Sequence, residues 1–331
     1  MFRQADLSKL SKNDIVDHYL MIRNIEIRTS KNGSNYLSLE IGDRSLSVNS
    51  NIWDNFESIY KNFKIGDIAK IKGVMDDYRG IPQINISSIK QISESENISI
   101  SDFLPKSKCD PEEMKRNFFD RIEKISDSNL KSLMKIIFNE VNFDKFSKSP
   151  AGKSWHHAYV HGLLEHTLEI IKICDLMCDI HPEINRDLLI TGAMMHDYGK
   201  TEELSVEASF NYTDQGKLLG HIVISAMLIN EEAKKIPDFP KELKNHLLHI
   251  VLSHQGKLEF ASPIVPKTLE AITLYQADEL SAKVNAYKNA LSSEIKGDNK
   301  WTRFITLAAT DLYKHNIQSK ADNESGKTLF D

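Results

Sequence analysis

The sequence predicts a multidomain protein of α and β class: an N-terminal five-stranded β-barrel followed by an all-α domain. Three observations predict it. The chain of 331 residues exceeds ordinary single-domain size. Apolar residues follow strand alternation up to about residue 95 and helical spacing from about residue 110. Histidine and aspartate recur at apolar helical positions in the second part.

The stretch Tyr19–Arg28 is rich in strand formers and ends at the turn Ser30-Lys-Asn-Gly-Ser34. Tyr36–Ile41 and Ser45–Val48 alternate apolar and polar residues, as strands with one wet face do. Helical spacing then puts Trp53, Phe56, Ile59, Tyr60 and Phe63 on one side. Two further strands follow, from Gly66 to Met75 and from Ile81 to Ile89, with Arg79-Gly80 as the turn between them. Three strands, a short helix and two strands is the layout of an OB-fold barrel, expected over 12–95. A polar, Ser-rich run leads into a linker over 96–109. At Asp110-Pro-Glu-Glu113 an N-cap aspartate, a first-turn proline and an acidic third residue start a helix. The all-α domain is expected over 110–317, with a flexible tail over 318–331.

The formal charge of −5 excludes a globally basic coat and leaves room for a local basic groove. No run reaches the length of a membrane span and the first residues lack a signal-peptide core, so no membrane partner is expected. Three cysteines are odd in number. Cys174 and Cys178 lie one helical turn apart in an apolar stretch and read as reduced thiols, which fits a reducing cytoplasm as the expected location.

Six residues carry chemistry: His166, His196, Asp197, His221, His254 and Asp278. Their neighbours at helical spacing are apolar or small. They are Leu163 and Ile170 for His166, Gly192 and Ala193 for His196, Leu218, Ser225 and Leu228 for His221, Ile250 and Val251 for His254, and Leu274, Tyr275 and Ala282 for Asp278. Five helices therefore point an ionisable group inward. One buried histidine is usually a hydrogen-bonded core residue; five core helices that each carry such a group are not explained that way. Burying two bare carboxylates costs several kcal/mol each, and a divalent cation removes that cost. Imidazole with carboxylate suits Mn, Fe, Zn or Ni. Asp197, with two oxygens, is placed to bridge two ions, an arrangement that supplies a nucleophile against phosphorus at neutral pH. Lys200, one turn after His196, reads as a catalytic phosphate holder or as a solvated helix-end lysine.

These six residues resemble the HD phosphohydrolase superfamily. More narrowly, Pro150-Ala-Gly-Lys-Ser-Trp-His-His-Ala-Tyr-Val160, Gly162-Leu-Leu-Glu-His-Thr167, Gly192-Ala-Met-Met-His-Asp-Tyr-Gly-Lys-Thr201, Ser253-His-Gln-Gly256, and Ser262-Pro263 with Pro266 and Glu270-Ala271 resemble the YhaM-type 3′→5′ exoribonucleases, over roughly residues 12 to 315. The resemblance implies an OB-fold nucleic-acid-binding domain joined to an HD domain. It implies a metal-dependent exonuclease that releases nucleoside 5′-monophosphates from the 3′ end of single-stranded RNA, and of DNA as well. Two divalent ions are implied, Mn first, with Fe, Ni, Mg or Zn as alternatives. His166, His196, Asp197 and Asp278 would hold one, and Asp197, His221 and His254 the other. A homo-oligomer is implied too.

The chain departs from the family pattern at three places. His161 stands where the first of two glycines is usual, Gln255 where a second histidine is usual, and Ser281 where an aspartate is usual. His161 and Gln255 are candidates for substrate contact. In the barrel, Tyr36 and Tyr78 are candidates for base stacking, with Lys70, Lys72 and Arg79 for phosphates; Tyr36 and Trp53 could equally be core. Two other readings stay open: a phosphohydrolase or phosphodiesterase of small nucleotides, and a non-catalytic nucleic-acid-binding regulator.

Overall fold

The computed structural model describes residues 4–78, 81–92, 98, 100–153, 155–206, 210–293 and 300–315. The chain divides into two compact units, Met1–Lys106 with Val206–Asn211, and Ser107–Ser205 with Tyr212–Asp331. The expected turn at Arg79-Gly80, part of the expected linker and the expected tail over 318–331 lie outside the described residues.

The first unit is a closed five-stranded barrel. Its elements are β1 (Ile15–Thr29), β2 (Asn35–Gly42), β3 (Ser47–Ile52), α1 (Glu57–Asn62), β4 (Ile68–Tyr78) and β5 (Ile81–Gln91). The strand order is β1-β2-β3-β5-β4, and only the β3–β5 closure is parallel. β1 is long because it serves two neighbours: Ile15–Met21 pairs with β4 and Met21–Thr29 with β2, with a register shift between Ile22 and Asn24 that turns the strand. Leu20, Ile22, Leu37, Leu39, Ile41 and Ile71 fill the interior on alternating positions.

Local chemistry moves three boundaries. The third strand begins at Ser47 rather than Ser45, because Asp43 Oδ1 accepts hydrogen bonds from the Ser45 and Leu46 amides and holds those residues in a turn. The helix starts at Glu57, since Asn55 before it has φ +53°. Phe56 and Phe63 plug the barrel, while Trp53 and Tyr60 are exposed. The unit also begins before residue 12: Leu7 is fully buried and its amide donates to Asp43 Oδ2. Within the expected linker, Phe103 and Leu104 are buried and the Phe103 carbonyl accepts from Arg23 Nη2. An apolar pair inside a serine-rich run is enough to pin it.

The second unit carries α2 (Pro111–Lys124), α3 (Ser128–Ile137), α4 (Glu140–Lys148), α5 (Gly162–Ile180), α6 (Arg186–Met195), α7 (Lys200–Glu203), α8 (Asp214–Ala233), α9 (Lys241–Ser253) and α10 (Leu269–Ser293). Asp110 caps α2 by accepting from the Glu113 amide. Phe118, Phe138 and Phe146 interlock with ring centroids 4.7–5.5 Å apart, and Tyr198 stacks on Phe146. This aromatic cluster lies directly under the His196-Asp197 turn.

Two segments depart from the all-α expectation. β6 (Leu204–Val206) and β7 (Phe210–Tyr212) form a two-stranded sheet. Residues 300–315 fold back on themselves, with bridges Trp301–Tyr313 and Ile305–Thr310. Trp301, Phe304 and Leu307 have helical spacing there but are exposed, so burial does not reward a helix.

Candidate metal centre

The centre is assembled around the end of α6. His196 caps that helix, and its Nδ1 donates to the Ala193 carbonyl at 2.8 Å. Asp197 follows, and Gly199 then lets the turn dock against α8. The Gly199 amide donates to Ser225 Oγ at 2.8 Å, and a Cβ at this position would stand 2.2 Å from the His221 carbonyl oxygen. Within α8, Gly220 adopts φ +70° and breaks the helix. His221 therefore opens a new helical stretch. The break also corrects one expectation: Leu218 does not share the face of His221 and is 82 % exposed, whereas Ser225 is fully buried.

All six ligand-type residues converge. Asp197 Oδ2 lies 3.3 Å from His196 Nε2 and 3.8 Å from His166 Nε2. Its other oxygen, Oδ1, lies 3.3 Å from His221 Nε2 and 3.6 Å from His254 Nε2. Asp278 Oδ1 completes the first side, 3.0 Å from His166 Nε2. One carboxylate thus divides four imidazoles into two pairs.

Each imidazole is oriented from behind. Nδ1 of His196 and of His254 face the carbonyls of Ala193 and Val251, which only accept, so both must carry the proton on Nδ1. His221 Nδ1 faces Glu203 Oε1 at 3.0 Å, and Glu203 also accepts from the His221 amide. His166 Nδ1 lies 3.0 Å from Ser281 Oγ, whose hydroxyl donates to Glu169 Oε2 at 2.7 Å. The four Nε2 lone pairs are left facing inward. Among the described residues, Nε2 of His196, His221 and His254 and Oδ1 of Asp197 are buried without a hydrogen-bond partner. His166 Nε2 meets Asp278 acceptor to acceptor. Buried acceptors gathered with nothing to accept from are what a divalent cation satisfies, and the donor set fits one.

Electrostatics favour ligation at Asp197, His166 and His254. Burial would raise the Asp197 carboxyl, but Lys200 and His196 outweigh it and hold Asp197 well below the usual range. Burial pushes His166 and His254 down, towards the neutral form that ligates. His196 is instead raised: burial lowers it, and the adjacent Asp197 outweighs that.

The remaining expected residues fall as follows. Lys200 Nζ is 2.6 Å from both Asp197 Oδ2 and the Ala151 carbonyl, so it is a buried partner of Asp197 rather than a solvated lysine, and its side chain also lines the cavity over the ligand-type residues. Gln255 lines a cavity of 610 Å³ with Trp155, His156, Lys200, His254 and Asp278. His161 is apart: it caps α5 in a left-handed conformation, φ +70°, binds the Ser147 carbonyl, and lines a different cavity against α2 and α4. In the barrel unit Tyr36 stacks on exposed Trp53, centroids 4.5 Å apart, and Tyr78 is exposed. Lys70 and Lys72 are both paired with Asp17, and Arg79 lies outside the described residues.

Sequence reasoning missed His156, His157, Glu169 and Glu203 as parts of the centre, and noted Ser281 only as a departure from the family pattern. His156 and His157 offer nitrogens close to His166, and His157, at φ +42°, sits in irregular chain where no periodicity marks it. The doubled histidine just before the α5 start was the available signal.

Comparison with known proteins gives two family matches: the HD domain over residues 163–283 and the OB-fold nucleic acid binding domain over residues 21–92. Among curated proteins, the 3′-5′ exoribonuclease YhaM of Bacillus subtilis (strain 168) is 32 % identical over 299 residues, covering 90 % of this chain and 94 % of that protein. The protein of that name from Geobacillus sp. (strain WCH70) is 32 % identical over 316 residues, covering 95 % of this chain and 96 % of its own. That of Listeria monocytogenes serotype 4b (strain CLIP80459) is 33 % identical over 288 residues, 86 % of this chain and 90 % of its own.

Proposed function

The chain belongs to the YhaM family of 3′-5′ exoribonucleases, and from that premise we propose that it is a metal-dependent 3′→5′ exonuclease that trims single-stranded RNA, and DNA as a second substrate, to nucleoside 5′-monophosphates. The observation that carries this reading is Asp197, whose two oxygens face two pairs of histidines, three of them with unpartnered Nε2 atoms. His166, His196, Asp197 and Asp278 would hold one divalent ion, and Asp197, His221 and His254 a second, with Mn preferred over Fe, Ni, Mg or Zn. Bound there, the ions supply the positive charge that makes water a nucleophile at neutral pH and stabilises the leaving oxygen.

The chain's own residues do the rest. Ser281, Glu203 and two carbonyls fix the imidazole tautomers. Lys200 offsets the charge of Asp197. Gln255 and Trp155 line the cavity where the terminal nucleotide would lie. We take the barrel unit as the domain that holds the strand, through Tyr36, Trp53 and Tyr78, and the helical unit as the domain that cuts it. No helix among the described residues is long and apolar enough to cross a membrane. Three free cysteines suit a reducing cytoplasm, and a homo-oligomer is part of the reading.

The test is digestion of oligonucleotides labelled at the 5′ or at the 3′ end, with Mn supplied. The reading expects immediate release of labelled mononucleotide from the 3′ label and a shortening ladder from the 5′ label. Release from free nucleotides alone would select a small-nucleotide phosphohydrolase, and strand binding without any turnover a non-catalytic regulator.

A further inference from the structure

The helical unit holds a second cavity of 730 Å³ that shares Lys283 and Tyr287 of α10 with the 610 Å³ cavity over the metal ligands. Both volumes lie within the range of about 300–1,000 Å³ typical of ligand sites. Residues 300–315 form the far wall of both: Leu307, Ala308 and Ala309 border the first, and Tyr313, Lys314 and His315 the second. The two cavities make one track that begins at His254 and Asp278 and runs along α10.

The composition of the second cavity inverts that of the chain, while Asp278 and Glu279 lie at the metal end. The protein carries a net charge of −5, yet the second cavity is lined by Lys283, Lys288, Lys314 and His315 with no carboxylate. Lys283 is paired with Glu279, whereas among the described residues no carboxylate lies within ion-pair distance of Lys288 or Lys314. Aromatic faces interleave with these cations: Trp155 and Tyr275 at the metal end, Tyr287 at the junction, Tyr313 beyond. Lysines alternating with aromatic rings in an open groove are the means by which proteins hold a single strand without reading its sequence, phosphates on the cations and bases on the rings.

We propose that this track binds the 3′-terminal segment of a single-stranded nucleic acid, placing the last phosphodiester over the metal ligands and the preceding nucleotides against Tyr287, Lys288, Tyr313 and Lys314. The proposal deepens the exonuclease reading and rests on it for the polarity of the strand. It gives the 300–315 fold-back a role as a wall of the track, and makes the helical unit itself a binding surface for several nucleotides.

The test separates binding from turnover. Affinity for a fluorescent single-stranded RNA of about 20 nucleotides, with phosphorothioate linkages at its 3′ end to resist cleavage, is measured with Mn present for the wild type, the pair Lys288→Ala and Lys314→Ala, the same pair to Arg, and Lys234→Ala as a surface control. The expected result is a Kd raised about tenfold by the alanine pair, with a salt dependence shallower by about 0.7 per lysine removed. The arginine pair should restore both, and Lys234→Ala should change neither. Tyr287→Ala should weaken binding about tenfold without changing the salt slope. An alanine pair that binds as the wild type does, or no more weakly than Lys234→Ala, overturns the track. The digestion assay fails independently: the expected binding pattern with no trimming by the wild type would sustain the groove and sink the nuclease reading.

Discussion

At the residue scale, Asp197 decides the chemistry. Asp197→Asn keeps the shape, removes the charge that balances Lys200 and replaces one of the two carboxylate oxygens that face the imidazoles with an amide that cannot ligate. We expect bound metal, measured by elemental analysis, to fall, and kcat/KM to drop about a thousandfold or more, since several kcal/mol of charge stabilisation are lost. Ser281 acts one step further out. Its oxygen accepts from His166 Nδ1 and its own hydroxyl donates to Glu169. Ser281→Ala leaves His166 free to rotate or change tautomer and is expected to weaken metal binding by about 10–100-fold, read by titration with a competing chelator. In the barrel unit, Trp53→Ala removes the exposed half of the Tyr36 stack; single-strand affinity should fall by about 1–3 kcal/mol if bases stack there, and an unchanged Kd would exclude it. The convergent positions were legible in the sequence because His166, His254 and Asp278 interrupt apolar helical stretches and the His196-Asp197 pair ends another. The residues behind them were not. Glu169 and Glu203 are ordinary helix-surface letters until the fold brings them against His157 and His221.

At the element scale, positions are set by close approach. The α6–α7 turn meets α8 through Gly199, and the aromatic cluster of α2, α3 and α4 supports the turn from below through Tyr198. Phe146→Ala opens a cavity under that turn and should cost about 3–5 kcal/mol, visible as a lower urea midpoint of helix loss with little change in slope. A helix-based reading of periodicity succeeds for α5, α6 and α9, where apolar spacing and burial coincide. It fails at Leu218, where Gly220 breaks the helix, and over 300–315, where helical spacing occurs on residues that stay exposed. Both failures have one cause. Spacing reports which residues would share a face if the chain were helical, and one left-handed residue or a more favourable fold-back removes that condition.

At the scale of the whole molecule, the metal-ligand candidates all lie in the helical unit. Chelation should loosen the helical unit only: metal at a hundredfold excess over its Kd stabilises the state that binds it by about 2.7 kcal/mol. Hydrogen exchange should therefore quicken in α5, α8 and α10 on adding EDTA, while β1–β5 keep their protection; equal quickening in both units would contradict this division. The order of the ligands along the chain has a temporal consequence. His166 precedes Asp278 by more than a hundred residues, and Ser281 comes later still. During synthesis the barrel's strands are complete before any ligand has been made, and domains fold as units from the N-terminus. The hydrolytic centre closes only when α10 has been made and docked. A growing chain is thus equipped to hold nucleic acid well before it is equipped to cut it, and a fragment released early would be a binder without a blade.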